Sequence, residues 1–187
     1  MSDRGFLTGE HILLRGIRRT DVEAYRHWLD HSEITYFMEM GARPTSDADL
    51  EEFYRLSTES AENVVFAIVH KDTNKPMGIV GLYAINWICR RGDFRIIIGE
   101  TDLLGQGMGT EAARLVLAYG FETLNLEVVT LGVNTENKRA IGSYKNAGFV
   151  AEGTRRKLIY RNSRYYDVLQ MSVLREEYYS NKSTDGT

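Results

Sequence analysis

The hydrophobic and polar residues follow two different periods along the chain, and these predict alternating strands and helices. Short apolar runs typical of buried strands are HILLRGI, VVFAIVH, MGIVGLYAINWI, DFRIIIG, EVVTLGV and YYDVLQMSVL. The segment KDTNKP, between the second and third runs, is rich in turn-forming residues. We therefore expect these two runs to pair as a hairpin.

Four other segments carry apolar residues at helical spacing. Thr20 is the predicted N-cap of the first helix, and Ser46 with Asp49 forms a capping-box pattern that begins the second. The third helix follows GQGMG, and the fourth begins after Asn137 and ends at Gly148. The predicted order, β-α-α-β-β-β-α-β-α-β-β, is that of an α+β fold with helices on both sides of a sheet.

Length and composition predict one domain without a membrane span. The chain has 187 residues, of which 43% are hydrophobic and 26% charged, and no apolar run approaches the roughly 20 residues that a membrane helix needs. The N-terminus lacks a signal-peptide pattern, and the single cysteine, Cys89, excludes an internal disulfide and a cysteine zinc cluster. We expect a domain over residues 1–179, a flexible polar tail over 180–187, and a cytoplasmic location.

Charge is unevenly distributed along the chain. The net charge of −3 gives no support for nucleic-acid binding. Nine acidic residues lie between Asp30 and Glu62, against two arginines, whereas eight basic residues lie between Lys138 and Arg164, against Glu152 alone. Two interpretations stay open: two solvated faces, or an acidic mouth for a cationic substrate beside a basic rim for a phosphorylated cofactor.

The segment GQGMG, residues 105–109, places three glycines at alternate positions before a helix. A P-loop is excluded, because no GK followed by Ser or Thr occurs at the required spacing. A dinucleotide motif is disfavoured, because five residues separate the strand from the glycines and too little chain remains for a second half. Two interpretations remain: a turn that serves close packing only, or a pyrophosphate site built from backbone N–H groups at a helix N-terminus.

A second motif, NTENKRAIGSYKNAGF, begins about thirty residues further on. Asn137 and Tyr144 are seven residues apart, which is two helical turns, so they lie on one face of the predicted helix. That face can line a groove opposite the strand that precedes the glycines. The alternative interpretation of Tyr144 is a core tyrosine on an amphipathic helix.

Together, GETDLLGQGMGTEA and NKRAIGSYKNAGF resemble the acetyl-CoA site of the GNAT N-acetyltransferase superfamily. Within it, the chain is most similar to bacterial spermidine/spermine N-acetyltransferases and to ribosomal-protein N-acetyltransferases. The similarity covers residues 10–179 and includes LLRGIRRTD, DFRIIIG and YRNSRYYDVLQMSVL. It implies a GNAT fold, in which two adjacent strands of a mixed sheet splay apart, and direct transfer of acetyl from acetyl-CoA to an amine.

The resemblance implies which residues bind the acetyl donor. Backbone groups of the strand would meet the pantetheine and the thioester, and the glycine loop would bind the pyrophosphate. Leu104 stands where the family usually has a larger polar or aromatic residue, so the backbone would supply more of the phosphate contacts. Asn137 would bond the pantetheine arm. The implied donor-binding residues are Ile96, Ile97, Ile98, Gln106, Gly107, Met108, Gly109, Thr110 and Asn137.

The resemblance also implies roles at the reacting groups. Tyr144 matches the general acid of the family, and Asp93 lies where relatives often have Glu, so it would remove the amine proton through a water relay. Glu39 and Asp167 are the candidates for substrate binding, and Asp167 can equally be a structural partner of a nearby backbone group or arginine. Cys89 has no adjacent histidine, which argues against an acyl-enzyme, and the four histidines show no metal-ligand spacing.

The acceptor is the open question at this stage. The resemblance and the acidic stretch favour a polyamine such as spermidine or spermine, and a protein N-terminus or an amino sugar nucleotide are alternatives. A different class of function is a non-catalytic acyl-CoA-binding module that keeps the fold. We expect no nucleic-acid or membrane partner and no metal, and relatives commonly form homo-oligomers.

Overall fold

The computed structural model describes residues 5–185, which contain eight strands in one sheet and five α-helices. The strands are β1 (Leu7–Thr8), β2 (Ile12–Gly16), β3 (Val64–His70), β4 (Lys75–Asn86), β5 (Arg91–Ile98), β6 (Val128–Asn134), β7 (Val150–Arg161) and β8 (Arg164–Leu174). The helices are α1 (Arg19–Asp30), α2 (Asp47–Thr58), α3 (Met108–Ala118), α4 (Lys138–Asn146) and α5 (Arg175–Asp185). The strand order is β1-β2-β3-β4-β5-β6-β8-β7.

Helices cover both faces of this sheet, as the sequence pattern predicts. Along β3, Phe66 and Ile68 face one hydrophobic cluster that contains α3, whereas Val65 and Ala67 face another that contains α1 and α2. Alternate residues of a strand point to opposite faces, so one apolar strand supplies both layers of the core. No helix within residues 5–185 has the length and apolar character needed to cross a bilayer.

Two of the predicted helix starts are confirmed, and one is wrong. The Asp49 amide donates to Ser46 Oγ at 3.2 Å, and the Ala140 amide donates to Asn137 Oδ1 at 3.1 Å. The first helix instead begins at Arg19, so Thr20 lies inside its first turn rather than at the N-cap. The reason is Asp21, whose carboxylate accepts from the Arg18 amide at 2.8 Å and thereby satisfies the helix end earlier in the chain.

Three further details differ from the pattern-based prediction. The turn after β3 ends at Asn74, so Lys75 and Pro76 belong to β4. The pairing of β3 with this end of β4 is irregular, with a register shift between Ile68 and Val69 of β3. Strand β1 has two residues, too few to show a period. Helix α5 occupies most of the predicted tail; residues 186–187 lie outside the described residues, and the flexibility of the tail stays a prediction.

The site is positioned by a gap between β5 and β6. These strands pair in parallel over three residues only, Arg91 to Asp93 with Val128 to Thr130, whereas the other ladders of the sheet are antiparallel. Beyond Asp93 the two strands separate, which confirms the splayed strands and the mixed sheet of the predicted GNAT fold. The C-terminal half of β5 therefore has a free backbone edge that faces the gap.

Candidate active site

A cavity of about 1160 Å³ opens at the gap between β5 and β6. Its walls come from β4, β5, the glycine loop, α4, parts of β6, β7 and β8, and the helices α1 and α2 with the segment between them. The structure brings most of the predicted site residues to these walls. Those that line the cavity are Glu39, Asp93, Ile96, Ile97, Ile98, Gly107, Met108, Gly109, Thr110, Asn137 and Tyr144.

The ladder register fixes which backbone groups of β5 face the gap. The Gly99 amide donates to the Met77 carbonyl at 2.8 Å, so this cross-strand pair is a hydrogen-bonded one. Hydrogen-bonded and non-hydrogen-bonded pairs alternate along an antiparallel ladder. Ile97 therefore bonds to β4, whereas the backbone N–H and C=O groups of Ile96 and Ile98 point away from β4, towards β6. Ile96 and Ile98 are both among the donor-binding residues that the family resemblance implies.

The glycine loop has an open side and a special backbone. Gly105 and Gly107 have φ angles of +84° and +83°, which a side chain disfavours, and a Cβ at either position would meet nothing within 4 Å. Close packing against the protein therefore does not explain these two glycines. Gly107 is the N-cap of α3, so the first amides of that helix have no intrahelical acceptor. The loop presents unpaired donors and an unobstructed surface, which is what an anion site requires.

Two residues predicted near the donor site have different surroundings from the rest. Gln106 is exposed and does not line the cavity; its Nε2 donates to the Asp102 carbonyl at 2.9 Å. Thr110 does line the cavity, and its hydroxyl lies 2.8 Å from Ser143 Oγ, which links α3 to α4. The sequence could not predict the direction of the Gln106 side chain, because a long flexible side chain in a loop has several competing partners.

Helix α4 brings Asn137 and Tyr144 to the same wall, as their spacing predicts. The Asn137 carboxamide oxygen accepts from the Ala140 amide, which leaves its NH₂ group for a ligand. The Tyr144 ring packs against Phe94 and Phe149, with ring centroids 6.0 and 5.9 Å away. Burial raises the pKa of Tyr144 to about 12, and no side chain among the described residues hydrogen-bonds to its hydroxyl.

Asp93 forms an ion pair with Arg95 on the face of β5 opposite to that of Phe94. Its Oδ2 accepts from Arg95 Nε at 2.8 Å, and the Arg95 guanidinium lies 5.0 Å from the centre of the Tyr83 ring. Tyr83 is directly opposite Asp93 in the ladder between β4 and β5. Sequence analysis identified Asp93 but missed Arg95 and Tyr83. The signal was the period of two in the run DFRIII, which places Asp93 and Arg95 on one face.

Aromatic residues form the wall beside this ion pair. The Tyr25 and Phe53 rings stack with centroids 4.0 Å apart, and both residues line the cavity together with Tyr83. Burial raises the pKa of Tyr83 to about 12 and also raises the pKa of Tyr25, so both phenols are neutral at physiological pH. The wall is therefore apolar with neutral hydroxyl groups.

Arginines pair with much of the acidic stretch between Asp30 and Glu62. Asp49 and Glu52 line the cavity, but Arg43 lies 2.9 Å from the first carboxylate and Arg55 lies 2.8 Å from the second. Asp47 and Glu51 are likewise paired, with Arg26 and Arg19. Among the described residues, Glu39 has no hydrogen-bond or ion-pair partner. The acidic mouth inferred from the residue count is thus partly neutralised, and Glu39 is the cavity carboxylate without a counter-charge.

Asp167 does not reach the cavity lining. Its Oδ1 accepts from the backbone amide of Lys157 at 2.8 Å, where the ladder between β7 and β8 is irregular and Lys157 has a φ of 52°. This contact corresponds to the structural interpretation of Asp167 rather than to substrate binding. Asp167 stabilises an unusual backbone conformation in β7.

Asn134 is a cavity residue that sequence analysis missed. It is 3% exposed, its Oδ1 accepts from the Glu136 amide at 3.0 Å, and its Nδ2 has no hydrogen-bond partner among the described residues. A buried amide without a partner costs stability, so such a group in a cavity wall points to a ligand contact. The signal was an Asn directly after the buried run VVTLGV, three residues before Asn137.

Neither a metal site nor a cysteine nucleophile is found in the described part of the chain. Within residues 5–185, no group of three or more His, Cys, Asp or Glu side chains could hold a metal ion. Cys89 is exposed in the turn between β4 and β5 and does not line the cavity. The chemistry available at the gap is that of backbone donors, a neutral tyrosine and a carboxylate.

Comparisons with known proteins agree with this geometry. A family model described as an acetyltransferase (GNAT) domain matches residues 11–150. The spermidine N(1)-acetyltransferase of Escherichia coli K12 is 32% identical over 177 residues, 94% of this chain and 92% of that protein. The spermidine N(1)-acetyltransferase of Vibrio cholerae is 33% identical over 171 residues, 89% of this chain and 95% of that protein.

The fold comparison points to the same group of proteins. The crystal structure of the Vibrio cholerae spermidine N-acetyltransferase in complex with CoA and spermine superposes with a TM-score of 0.82. Its sequence identity is 28%, and the match covers 91% of this chain and 99% of that one. The similarity thus extends over most of both chains.

Proposed function

Because the chain belongs to the GNAT acetyltransferase family, we propose that it transfers the acetyl group of acetyl-CoA directly to a primary amine of a polyamine such as spermidine or spermine. The observation that carries this proposal is that two features of a donor site lie in the same cavity. The free backbone edge of Ile96 and Ile98 faces the gap, and the open glycine loop lies on the wall of the same cavity. An extended thioester with a pyrophosphate at one end fits that combination.

The residues present suit acetyl-CoA as the acetyl donor. The loop at Gly105 and Gly107 has room for phosphate oxygens, and the first amides of α3 are available to bond them. An extended pantetheine arm pairs with the free edge of β5 as a further strand would. Asn137 retains two amide hydrogens for this arm, because only its oxygen is used in the helix cap. Leu104 adds no polar contact, so the backbone binds most of the pyrophosphate.

Two groups at the gap stabilise charge that develops in the reaction. When the amine attacks the thioester carbonyl, a backbone N–H of Ile96 or Ile98 is placed to donate to the oxyanion. Tyr144 is proposed to donate its proton to the departing thiolate. Its pKa of about 12 keeps the phenol protonated at physiological pH, and its hydroxyl is not engaged by another described side chain.

The amine arrives protonated and must lose a proton before it attacks. We assign this step to Asp93, acting through water, since Asp93 lines the cavity and its side chain is 34% exposed. Arg95 already pairs with one oxygen of this carboxylate, so it competes with the incoming ammonium for Asp93. Asp93 therefore has two competing cations, one from the protein and one from the acceptor.

The acceptor side of the cavity supports a polyamine. Methylene groups of the acceptor can pack on the aromatic faces of Tyr25, Phe53 and Tyr83. Glu39 offers an unpaired carboxylate for an ammonium group. Alkyl chains that carry ammonium groups bind well to this combination. The relatives named as spermidine acetyltransferases also support this acceptor class.

The experiment that tests this proposal is release of CoA thiol from acetyl-CoA in the presence of different amines. We expect saturable release with spermidine and spermine, and little release with a basic peptide or an amino sugar nucleotide. Release with the peptide or the sugar alone would exclude the polyamine and keep the acetyltransferase. Binding of acetyl-CoA without release for any amine would instead favour a non-catalytic acyl-CoA-binding module.

A further inference from the structure

The structure assigns to Arg95 a role as specificity-determining residue: its guanidinium occupies the position that the ammonium group of the acceptor takes over on binding. This inference rests on the proposed acetyltransferase function, and it concerns the acceptor side of that site. It follows from where Arg95 lies, from what it contacts and from how weakly it is held.

Arg95 lies on the wall that the acceptor must approach. Asp93 and Arg95 are two residues apart in β5, so their side chains emerge on one face of the sheet, together with the buried Ile97. This is the face covered by α1 and α2, opposite the face that packs against α3. Asp93, Arg95 and Tyr83 all line the cavity.

The contacts of Arg95 are those of a bound cation. Its Nε lies 2.8 Å from Asp93 Oδ2, and its guanidinium carbon lies 5.0 Å from the Tyr83 ring centre. Gly81, which lies across from Arg95 in the ladder, is also close to this ring: a Cβ there would lie 3.3 Å from Tyr83 Cε2, although it would meet the Val64 carbonyl oxygen of β3 first, at 2.5 Å. A carboxylate beside an aromatic face is a binding site for an alkylammonium as much as for a guanidinium.

The arginine is held weakly enough to be displaced. The side chain of Arg95 is 63% exposed and that of Asp93 is 34% exposed, and exposed ion pairs contribute little to stability. The pair between Arg15 and Asp21 shows the contrast, since those side chains are 9% and 2% exposed. Within residues 5–185, the Arg95 side chain makes one hydrogen bond, the one to Asp93. Its removal from this position therefore disturbs one weak pair and one ring contact.

This arrangement makes Arg95 an internal competitor of cationic acceptors. While Arg95 is paired with Asp93, an ammonium can occupy the position between the Asp93 carboxylate and the Tyr83 ring only by displacing it. Removal of the guanidinium charge should therefore tighten the binding of a cationic amine and should leave the binding of acetyl-CoA unchanged. The effect should depend on Asp93, because that carboxylate is the shared partner.

The test is the affinity of spermidine for the CoA-bound protein, measured by calorimetry without an acetyl donor. We expect Arg95→Gln to lower the dissociation constant about 3- to 10-fold, as expected for loss of a weak competing pair. Arg155→Gln is the matched control, since Arg155 also lines the cavity and carries the same charge but, among the described residues, makes no hydrogen bond or ion pair with Asp93. This control should leave the spermidine affinity close to the wild-type value.

The dependence on Asp93 is tested in a double-mutant cycle. In an Asp93→Asn background, Arg95→Gln should bring no further gain in spermidine affinity. Unchanged or weaker binding in Arg95→Gln, an equal gain in Arg155→Gln, or the same gain without the Asp93 carboxylate would each overturn the inference. Because these are binding measurements, they do not depend on turnover; absence of thiol release by the wild-type protein would refute the proposed function separately.

Discussion

At the scale of single residues, the environment of Tyr144 combines features of the two interpretations that its position in the sequence allows. A core tyrosine would bury its ring and bond its hydroxyl to the protein. Here the ring is packed against Phe94 and Phe149, but the hydroxyl is unpaired among the described residues and the residue lines the cavity. The position thus has the packing of a core residue together with an available proton donor, which supports the general-acid role that we propose.

Replacing Tyr144 by Phe tests that role. The phenylalanine ring preserves the packing, so we expect acetyl-CoA affinity to stay near the wild-type value while kcat falls about 100-fold or more, as for the loss of a general acid. Tyr119→Phe is the control, because Tyr119 packs against Phe66 outside the cavity lining. A kcat of wild-type magnitude in Tyr144→Phe would remove the residue from the acid role.

A second prediction at the scale of residues concerns the stability of the protein and the buried ion pair between Arg15 and Asp21. Asp21 is 1% exposed, bonds Arg15 at 2.6 and 2.9 Å and accepts from the amide that precedes α1. Asp21→Asn removes the buried carboxylate from its ion pair with the Arg15 guanidinium, so the free energy of unfolding should fall by about 3–5 kcal/mol.

Urea denaturation followed by circular dichroism measures this change. The control is Glu51→Gln at the exposed pair with Arg19, which should leave the denaturation midpoint nearly unchanged. If both variants moved the midpoint by the same small amount, the buried pair would not have the structural role that its geometry indicates.

At the scale of elements, the glycine loop works with the helix that follows it. Gly105 and Gly107 need their positive φ angles, so any side chain there strains the backbone as well as filling the open side. Gly109 is different, because it lies inside α3 without a positive φ, and a Cβ there would be 3.7 Å from its nearest neighbour, Ser143 Oγ. A methyl group at residue 109 can therefore occupy the open side of the glycine loop without disturbing the fold.

Gly109→Ala should separate binding from stability. Alanine favours a helix over glycine, so the protein should be as stable as wild type or slightly more so. The added methyl group should weaken acetyl-CoA binding about 10- to 100-fold by displacing a phosphate from a backbone donor. Calorimetry measures this affinity, with Gly153→Ala as control, since Gly153 also has open space but lies outside the cavity lining. Normal affinity in Gly109→Ala would mean that the pyrophosphate binds elsewhere.

The sequence predicted correctly those strands and helices whose signals, an apolar run or a capping residue, lie within or directly beside the element. Short apolar runs identified β3 and β5, and the Ser46 and Asn137 caps identified the starts of α2 and α4. The start of α1 was predicted wrongly because its cap depends on Asp21, a residue that the N-cap pattern at Thr20 did not consider. Strand β1 was missed because it has two residues and is defined by its pairing with β2.

The candidate site was predictable only in part, for the same reason. Tyr144 and Asn137 share a helix face that spacing alone defines. Arg95 and Asn134 acquire their meaning from partners distant in sequence or from the lack of a partner, neither of which a single sequence displays. The acidic stretch was read from its composition, and the arginines that neutralise part of it come from other segments as well as from its own.

At the scale of the whole molecule, one interruption in the sheet organises the site. Because β5 and β6 pair over three residues only, the sheet opens where the glycine loop, α4 and the acceptor-side aromatic residues converge. One side of the opening faces α3 and α4, where we propose that the donor binds, and the other faces α1 and α2, where we propose that the acceptor binds. In this account the two substrates reach one point from opposite faces of the same sheet.

The measurement that tests this account most directly is a competition for the acetyl group in one reaction. The protein is incubated with acetyl-CoA and equal concentrations of spermidine, a basic peptide with a free N-terminus and an amino sugar nucleotide, and the products are identified by mass spectrometry. We predict that spermidine carrying one acetyl group is the main product and that Tyr144→Phe forms much less of it. Acetyl transfer mainly to the peptide or the sugar, or to no acceptor at all, would contradict the account.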